Sequence, residues 1–371
     1  MRDRLILSIV SLIIFVTQSW TIHVPQPIHT YPRAPIWSEY LADPFAFKFD
    51  GKYYIIGTGL GLHQGNDTFP SLISIDFVQW NYAGDILIVN EKPNAPYSYL
   101  APEIVRHNDR FYLFYSAGFQ DRKHRLRVAS SHTPLGPFND SESIELTDVN
   151  QLPFAIDPHP FQDQTDGQWY LFYSRDFLDT TRGYRVGTGV VVDRLFDNMT
   201  RLFGNETVVL RAKHDWQLYQ PNRHIYNQTF DWYTLEGATV WQKNPGIFIC
   251  FYSGGNWQET SSGVDYGIAF SSPWGPYDDD STSEARITHS IQGEIIGPGH
   301  NSLILGPDRQ TTYIVYHAWD ETKTKSSPYI SRLTWETRRR SKTDNVNDLL
   351  LVTVSFFIYV IFVLLIFHRA L

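Results

Sequence analysis

The sequence predicts an all-β protein, a five-bladed β-propeller, and three observations carry that prediction. An aromatic-rich apolar run recurs five times at a spacing near sixty residues. A short polar motif precedes each run at a nearly constant distance. Between the two ends of the chain, no long stretch shows helical periodicity.

The first run is Tyr53-Tyr54-Ile55-Ile56, after the turn Asp50-Gly51. The second is Phe111-Tyr112-Leu113-Phe114-Tyr115, after Asp109-Arg110, and the third is Trp169-Tyr170-Leu171-Phe172-Tyr173, after Asp166-Gly167. The fourth, Ile247-Phe248-Ile249-Cys250-Phe251-Tyr252, follows Pro245-Gly246, and the fifth, Tyr313-Ile314-Val315-Tyr316, follows Arg309-Gln310. Aligned at Tyr54, Tyr112, Tyr170, Ile249 and Tyr313, the spacings are 58, 58, 79 and 64 residues. Aromatic and β-branched runs after Asp/Gly turns read as strands. A repeat of this length fits one four-stranded blade.

Nine to thirteen residues before each aligned position stands a polar motif. The five are Ala42-Asp43-Pro44, Ala101-Pro102-Glu103, Ile156-Asp157-Pro158, Leu235-Glu236-Gly237 and Gly299-His300-Asn301. Only one short strand and a turn fit between motif and run. Each motif is therefore expected on the first strand of a blade, the strand that lines the axis of a propeller. Asp43, Glu103, Asp157, Glu236 and His300 would then converge on one mouth. Converging carboxylates repel and lose hydration, which is hard to justify structurally. A solvated turn explains any one of these acids but not the five-fold register.

These stretches, with Gly297-Pro298-Gly299-His300-Asn301-Ser302 completing the fifth, resemble glycoside hydrolase family 43. That family includes arabinanases, α-L-arabinofuranosidases and β-xylosidases. The resemblance runs from about Asp43 to Trp319, with Ala238 where the family usually has proline. It implies an inverting glycoside hydrolase acting on arabinose- or xylose-containing polysaccharides or oligosaccharides. It further implies Asp43 as general base, Glu236 as general acid, and Asp157 as the carboxylate that tunes the acid and orients substrate. His300 matches an axial histidine beside a metal ion, often calcium, or a water cluster.

The chemistry accounts for these residue types. Glycoside hydrolysis with inversion needs one carboxylic acid to protonate the leaving oxygen and one carboxylate to activate water on the opposite face. Glu236 must stay protonated near neutrality, helped by burial and a neighbouring anion, whereas Asp43 must stay ionised. Glu103, Tyr99, Trp257 and His300 are candidate substrate contacts; packing or structural hydrogen bonding is the plainer use of Glu103, Tyr99 and Trp257. His317 reads equally as a strand histidine or a site residue.

Composition narrows the class. With net charge −8 and 15% aromatic residues, the chain offers no basic face for nucleic acid. No Cys/His metal spacing, phosphate loop or serine-nucleophile motif occurs, and the glycines from Gly57 precede no helix. The single cysteine, Cys250, excludes an internal disulfide and reads as a buried, inert thiol.

The expected organisation is a signal peptide over 1–19, the propeller domain over 20–337, a basic linker over 338–348 and an apolar tail over 349–367. The tail is a transmembrane helix or a GPI-type signal. Sequons at Asn66, Asn139, Asn198, Asn205 and Asn227 suit a secretory, cell-surface glycoprotein. The competing reading is a membrane-tethered carbohydrate-binding propeller with weak or no turnover.

Overall fold

The computed structural model describes residues 20–60, 67–89, 97–119, 122–148, 150–280 and 283–340. The expected signal peptide, the apolar tail at 349–367, most of the linker and the Asn66 sequon lie outside the described residues. Among the described residues no helix is long and apolar enough to cross a membrane.

Two compact units are present, of which the larger is Gln26–Thr334. The smaller contains the strands Trp20–Pro25 and Trp335–Arg340, paired antiparallel from Trp20 against Arg340 to Pro25 against Trp335. The first strand opens the span expected for the propeller, and the second runs past its end at 337 into residues expected as linker.

Within Gln26–Thr334 the strands form five antiparallel-based sheets, the five blades. Their first strands are Ala42–Phe49, Tyr97–His107, Ala155–Gln162, Leu235–Asn244 and Ile296–Leu305. Each packs beside the next, and the fifth packs beside the first, so the ring is closed. Their second strands are Lys52–Thr58, Arg110–Phe119, Trp169–Phe177, Ile247–Gly254 and Thr312–Trp319. Tyr54, Tyr112, Tyr170, Ile249 and Tyr313 thus occupy equivalent strands, as the repeat predicts.

The aromatic runs are apolar at nearly every position because each middle strand is covered on both faces. Side chains alternate across a strand. Phe111, Leu113 and Tyr115 accordingly enter the core against the first blade. Phe114, the intervening residue, enters the core shared with Leu171 and Tyr173 of the third blade. Tyr170 and Phe172 turn the other way, toward Phe248 and Cys250 of the fourth. Cys250 is fully buried and free, and burial pushes its thiol pKa far up, consistent with an inert sulfur.

Ser326–Leu333 forms the third strand of the fifth blade. The incoming chain lies along it: Ile36 N–H donates to Pro328 O (2.9 Å) and Leu41 N–H to Ser326 O (2.9 Å). The long spacing before the fourth blade is taken up by the hairpin Leu218–Ile225/Gln228–Tyr233, added to the four strands of the third, the last of which is Thr207–Arg211.

Candidate active site

Each first strand carries a register shift at its polar motif. At each shift one residue takes a left-handed conformation: Asp43 (φ 49°), Ala101 (φ 51°), Asp157 (φ 57°), Gly237 (φ 63°) and His300 (φ 38°). A bulge adds a residue, bends the strand and re-aims a side chain. Four of the five are not glycine, so strain of about 1–2 kcal/mol apiece is held by the surrounding ring.

This register corrects the expected equivalence of the five motif residues. Asp43, Asp157 and His300 are equivalent, but Glu236 stands one residue before its bulge residue and Glu103 two residues after. Two residues beyond the bulge lie Glu103, His159, Thr239 and Ser302, and these form a belt between blades. His159 Nε2 accepts the N–H of Val240 (3.0 Å), so the ring proton sits on Nδ1 and is donated to Glu103 Oε2 (2.8 Å). Thr239 Oγ1 donates to Asn301 O (2.6 Å), and Ser302 Oγ donates to Pro44 O (2.8 Å) while accepting from Ala46 N–H (3.0 Å). Glu103 is buried in this belt and does not line the cavity.

Tyr99 is also outside the cavity lining. It is buried between the first and second blades, with its hydroxyl donating to Asp140 Oδ2 (3.1 Å). Its aromatic ring serves the core, and its polar end is already committed.

A cavity of about 510 Å³ brings together Asp43, Asp157, Glu236, His300, His317 and Trp257. Asp43 is held from several sides. Its N–H donates to His317 Nδ1 (3.0 Å), and its Oδ2 accepts from Thr58 Oγ1 (2.6 Å). Thr58 Oγ1 in turn accepts the Ala101 N–H (2.8 Å). His300 Nδ1 lies 3.3 Å from Asp43 Oδ1 and 4.0 Å from Asp157 Oδ2. Burial alone would raise the Asp43 pKa, but His300, His317 and the Thr58 hydroxyl outweigh it and hold the carboxyl well below its ordinary range.

Asp157 Oδ2 accepts the N–H of Gly237 (2.9 Å), which ties the third blade to the residue after Glu236. Burial, with the charges of Glu236 and Asp43, pushes Asp157 upward against His300 and the Gly237 hydrogen bond. Glu236 is pushed up to about 7, first by burial, then by the charges of Asp43 and Asp176, against the opposing charge of Arg223. The charge of Glu236 is among those that raise Asp157, so the two carboxyls titrate as interacting groups. The hydrogen bond from Gly237 and the nearby imidazole favour the anion on Asp157, while burial and the charges of Asp43 and Asp176 favour the protonated form of Glu236.

His300 N–H donates to Ser253 Oγ (2.7 Å), and its ring packs over Gly237. Calcium prefers six to eight oxygen ligands. Among the described residues no group of three or more His, Cys, Asp or Glu is arranged to hold a metal. The oxygens beside His300 belong to Asp43 and Asp157. Two carboxylates and one imidazole supply fewer ligands than the six to eight oxygens calcium takes.

Trp257, 43% exposed, stacks on Trp319 with ring centroids 6.4 Å apart. The Trp319 indole donates to Trp257 O (2.7 Å). Thr58, Asp176, Tyr219, Arg223, Trp232 and Trp319 line the cavity without having been singled out in the sequence. The one signal for three of them is the 79-residue spacing, which announces added structure between the third and fourth blades.

Comparison with known proteins agrees with this architecture. The family model described as glycosyl hydrolases family 43 matches residues 32–338. A β-D-galactofuranosidase of Aspergillus niger is 27% identical over 298 residues, covering 76% of this chain and 75% of that protein. A xylosidase/arabinosidase (43A) of Humicola insolens is 28% identical over 165 residues, 41% of this chain and 48% of that protein. The crystal structure of a thermostable family-43 glycoside hydrolase superposes with a TM-score of 0.68 at 26% identity, covering 84% of this chain and 96% of that one. With the family match spanning most of its length and a five-bladed ring beneath it, the chain belongs to glycosyl hydrolase family 43.

Proposed function

We propose that this chain is an inverting hydrolase of arabinose- or xylose-containing oligosaccharides or polysaccharides, with Glu236 as general acid and Asp43 as general base. The observation that carries the reading is the opposite treatment of two carboxyls in one cavity. Glu236 is pushed up to about 7 while Asp43 is held ionised. That difference is what acid and base need to work together near neutrality. Asp157 supports the anion-bearing, orienting role through its bond to the Gly237 N–H. The stacked pair Trp257 and Trp319 offers a flat apolar face to a sugar ring.

The test is Glu236→Gln, which keeps the shape and deletes the transferable proton. Turnover of a pentose oligosaccharide falls about 10²–10⁴-fold. Loss on a nitrophenyl pentoside is smaller, because that leaving group needs little protonation. A loss below tenfold on the oligosaccharide, or equal losses on both, contradicts the assignment.

A second sugar class has an observation in its favour: the relative with the broad match is named a β-D-galactofuranosidase. β-D-galactofuranose and α-L-arabinofuranose share a ring configuration and differ in the exocyclic arm. A substrate panel of arabinan, arabinoxylan, xylan and chromogenic arabino-, xylo- and galactofuranosides decides between them.

Export and cell-surface glycosylation complete the proposal. Asn198, Asn205 and Asn227 are exposed, as acceptors must be. N-glycosidase treatment of the protein from a eukaryotic host lowers its apparent mass, and substitution of these three asparagines abolishes most of that shift.

A further inference from the structure

The hairpin Leu218–Ile225/Gln228–Tyr233 is an addition to the third blade, and it ends one residue before the strand that carries Glu236. It joins the blade where Tyr233 pairs with Gly187. A Cβ at Gly187 would overlap the Tyr233 carbonyl oxygen, so glycine is required there (φ 143°). The far end is fastened as well: Tyr226 OH donates to Asp176 Oδ2 (2.6 Å). Both ends being fixed, the face between them is a rigid wall of the cavity.

That wall presents Tyr219, Arg223 and Trp232 to the cavity. The Arg223 guanidinium lies 5.2 Å from the Tyr219 ring and 5.0 Å from the Trp232 ring. Among the described residues, Arg223 is the one lysine or arginine lining the cavity. A guanidinium restrained by two aromatic rings loses little freedom when its planar donors engage a ligand. The hairpin runs into the strand that carries Glu236 with only Thr234 between them. After Asp43, the charges that act on Glu236 are Asp176 and Arg223, whereas those acting on Asp43 are His300 and His317. The hairpin therefore stands on the Glu236 side of the reacting bond.

We propose that this hairpin builds the leaving-group subsite, and that Arg223, held between Tyr219 and Trp232, donates hydrogen bonds to hydroxyls of the departing sugar. The inference rests on Glu236 as the general acid, since the group that protonates the leaving oxygen must face the departing residue. It makes Arg223 a specificity residue for sugar over non-sugar leaving groups.

The experiment separates binding from turnover. In the Glu236→Gln background, calorimetric titration with an arabino- or xylo-oligosaccharide shows a dissociation constant about ten- to a hundredfold weaker when Arg223→Ala is added, the range for a charge-assisted hydrogen bond. In the active enzyme, Arg223→Ala lowers kcat/KM for the oligosaccharide by a similar factor. It lowers kcat/KM for a nitrophenyl pentoside less than about threefold on that scale, because that leaving group carries no hydroxyls. Loss of the cation also lets the Glu236 pKa rise, so the basic limb of the pH profile moves to higher pH. Arg223→Lys restores the position of that limb but not the oligosaccharide affinity. Unchanged oligosaccharide binding overturns the proposal. So do equal losses on both substrates with an unmoved basic limb, the signature of a packing role. Failure of the acid assignment shows separately, in the Glu236→Gln comparison made without any change at Arg223.

Discussion

Glu236 and Asp43 carry the same functional group into one cavity and leave it with opposite properties. Burial dominates at Glu236, whereas imidazoles and a hydroxyl override burial at Asp43. The pH profile follows with definite signs. Glu236 must be protonated, so kcat/KM is lost as pH rises through about 7. Asp43 must be ionised, so activity is lost only as pH falls through a value below the ordinary carboxylate range. Asp157→Asn removes an anion beside Glu236, and the basic limb moves to lower pH along with a reduced rate. Asp43→Asn lowers turnover about 10²–10⁴-fold on oligosaccharide and nitrophenyl substrates alike, because water must be activated whatever leaves. A basic limb that does not move in Asp157→Asn contradicts the role of Asp157 as an anion acting on Glu236.

At the scale of the strand, the bulge is the device that makes a site out of a barrel-like ring. Without it, strict alternation would leave neighbouring residues on opposite faces. Gly237 is the position where the device is least tolerant. Its φ is 63°, and a Cβ there would stand 3.0 Å from His300 Nδ1. Gly237→Ala should cost about 1–2 kcal/mol from the backbone conformation alone. It also displaces His300 or the Gly237 N–H that binds Asp157. The expected result is a modest fall in melting temperature with a disproportionate fall in kcat. A variant with wild-type kcat would show that the bulge geometry has slack.

The whole ring is held by contacts between residues far apart in sequence. Ser302 clasps the fifth blade to the first through Pro44 and Ala46, at separations of 258 and 256 residues. Ser302→Ala leaves the buried Ala46 N–H without that acceptor, a cost of about 1–3 kcal/mol. The melting temperature falls by several degrees while the limbs of the pH profile stay in place, because no group facing substrate has changed. At the same scale belongs the stereochemical outcome. Inversion requires room for a water between an acid and a base held on different blades, and NMR of the fresh product shows inverted anomeric configuration. Retained configuration would remove the mechanism.

The repeat, and the arrival of Asp43, Asp157, Glu236 and His300 in one cavity, were legible from the sequence, because turn residues and aromatic strands are local signals and their spacing repeats with the blade. The burial of nearly every position in the middle strands is written there too, as runs without alternation. What a sequence does not display is the sign of φ at one residue. The left-handed bulge at Ala101 sends Glu103 into the belt with His159, although its motif looks like that of Asp43. Tyr99 is decided by Asp140, 41 residues away, and Asp157 by Gly237, 80 residues away. Arg223 enters the cavity only because the added hairpin is fixed at Gly187 and Asp176. Local propensity and period therefore determined the ring and its acids. Which polar groups face substrate and which hold the ring together was decided by contacts that exist only after closure.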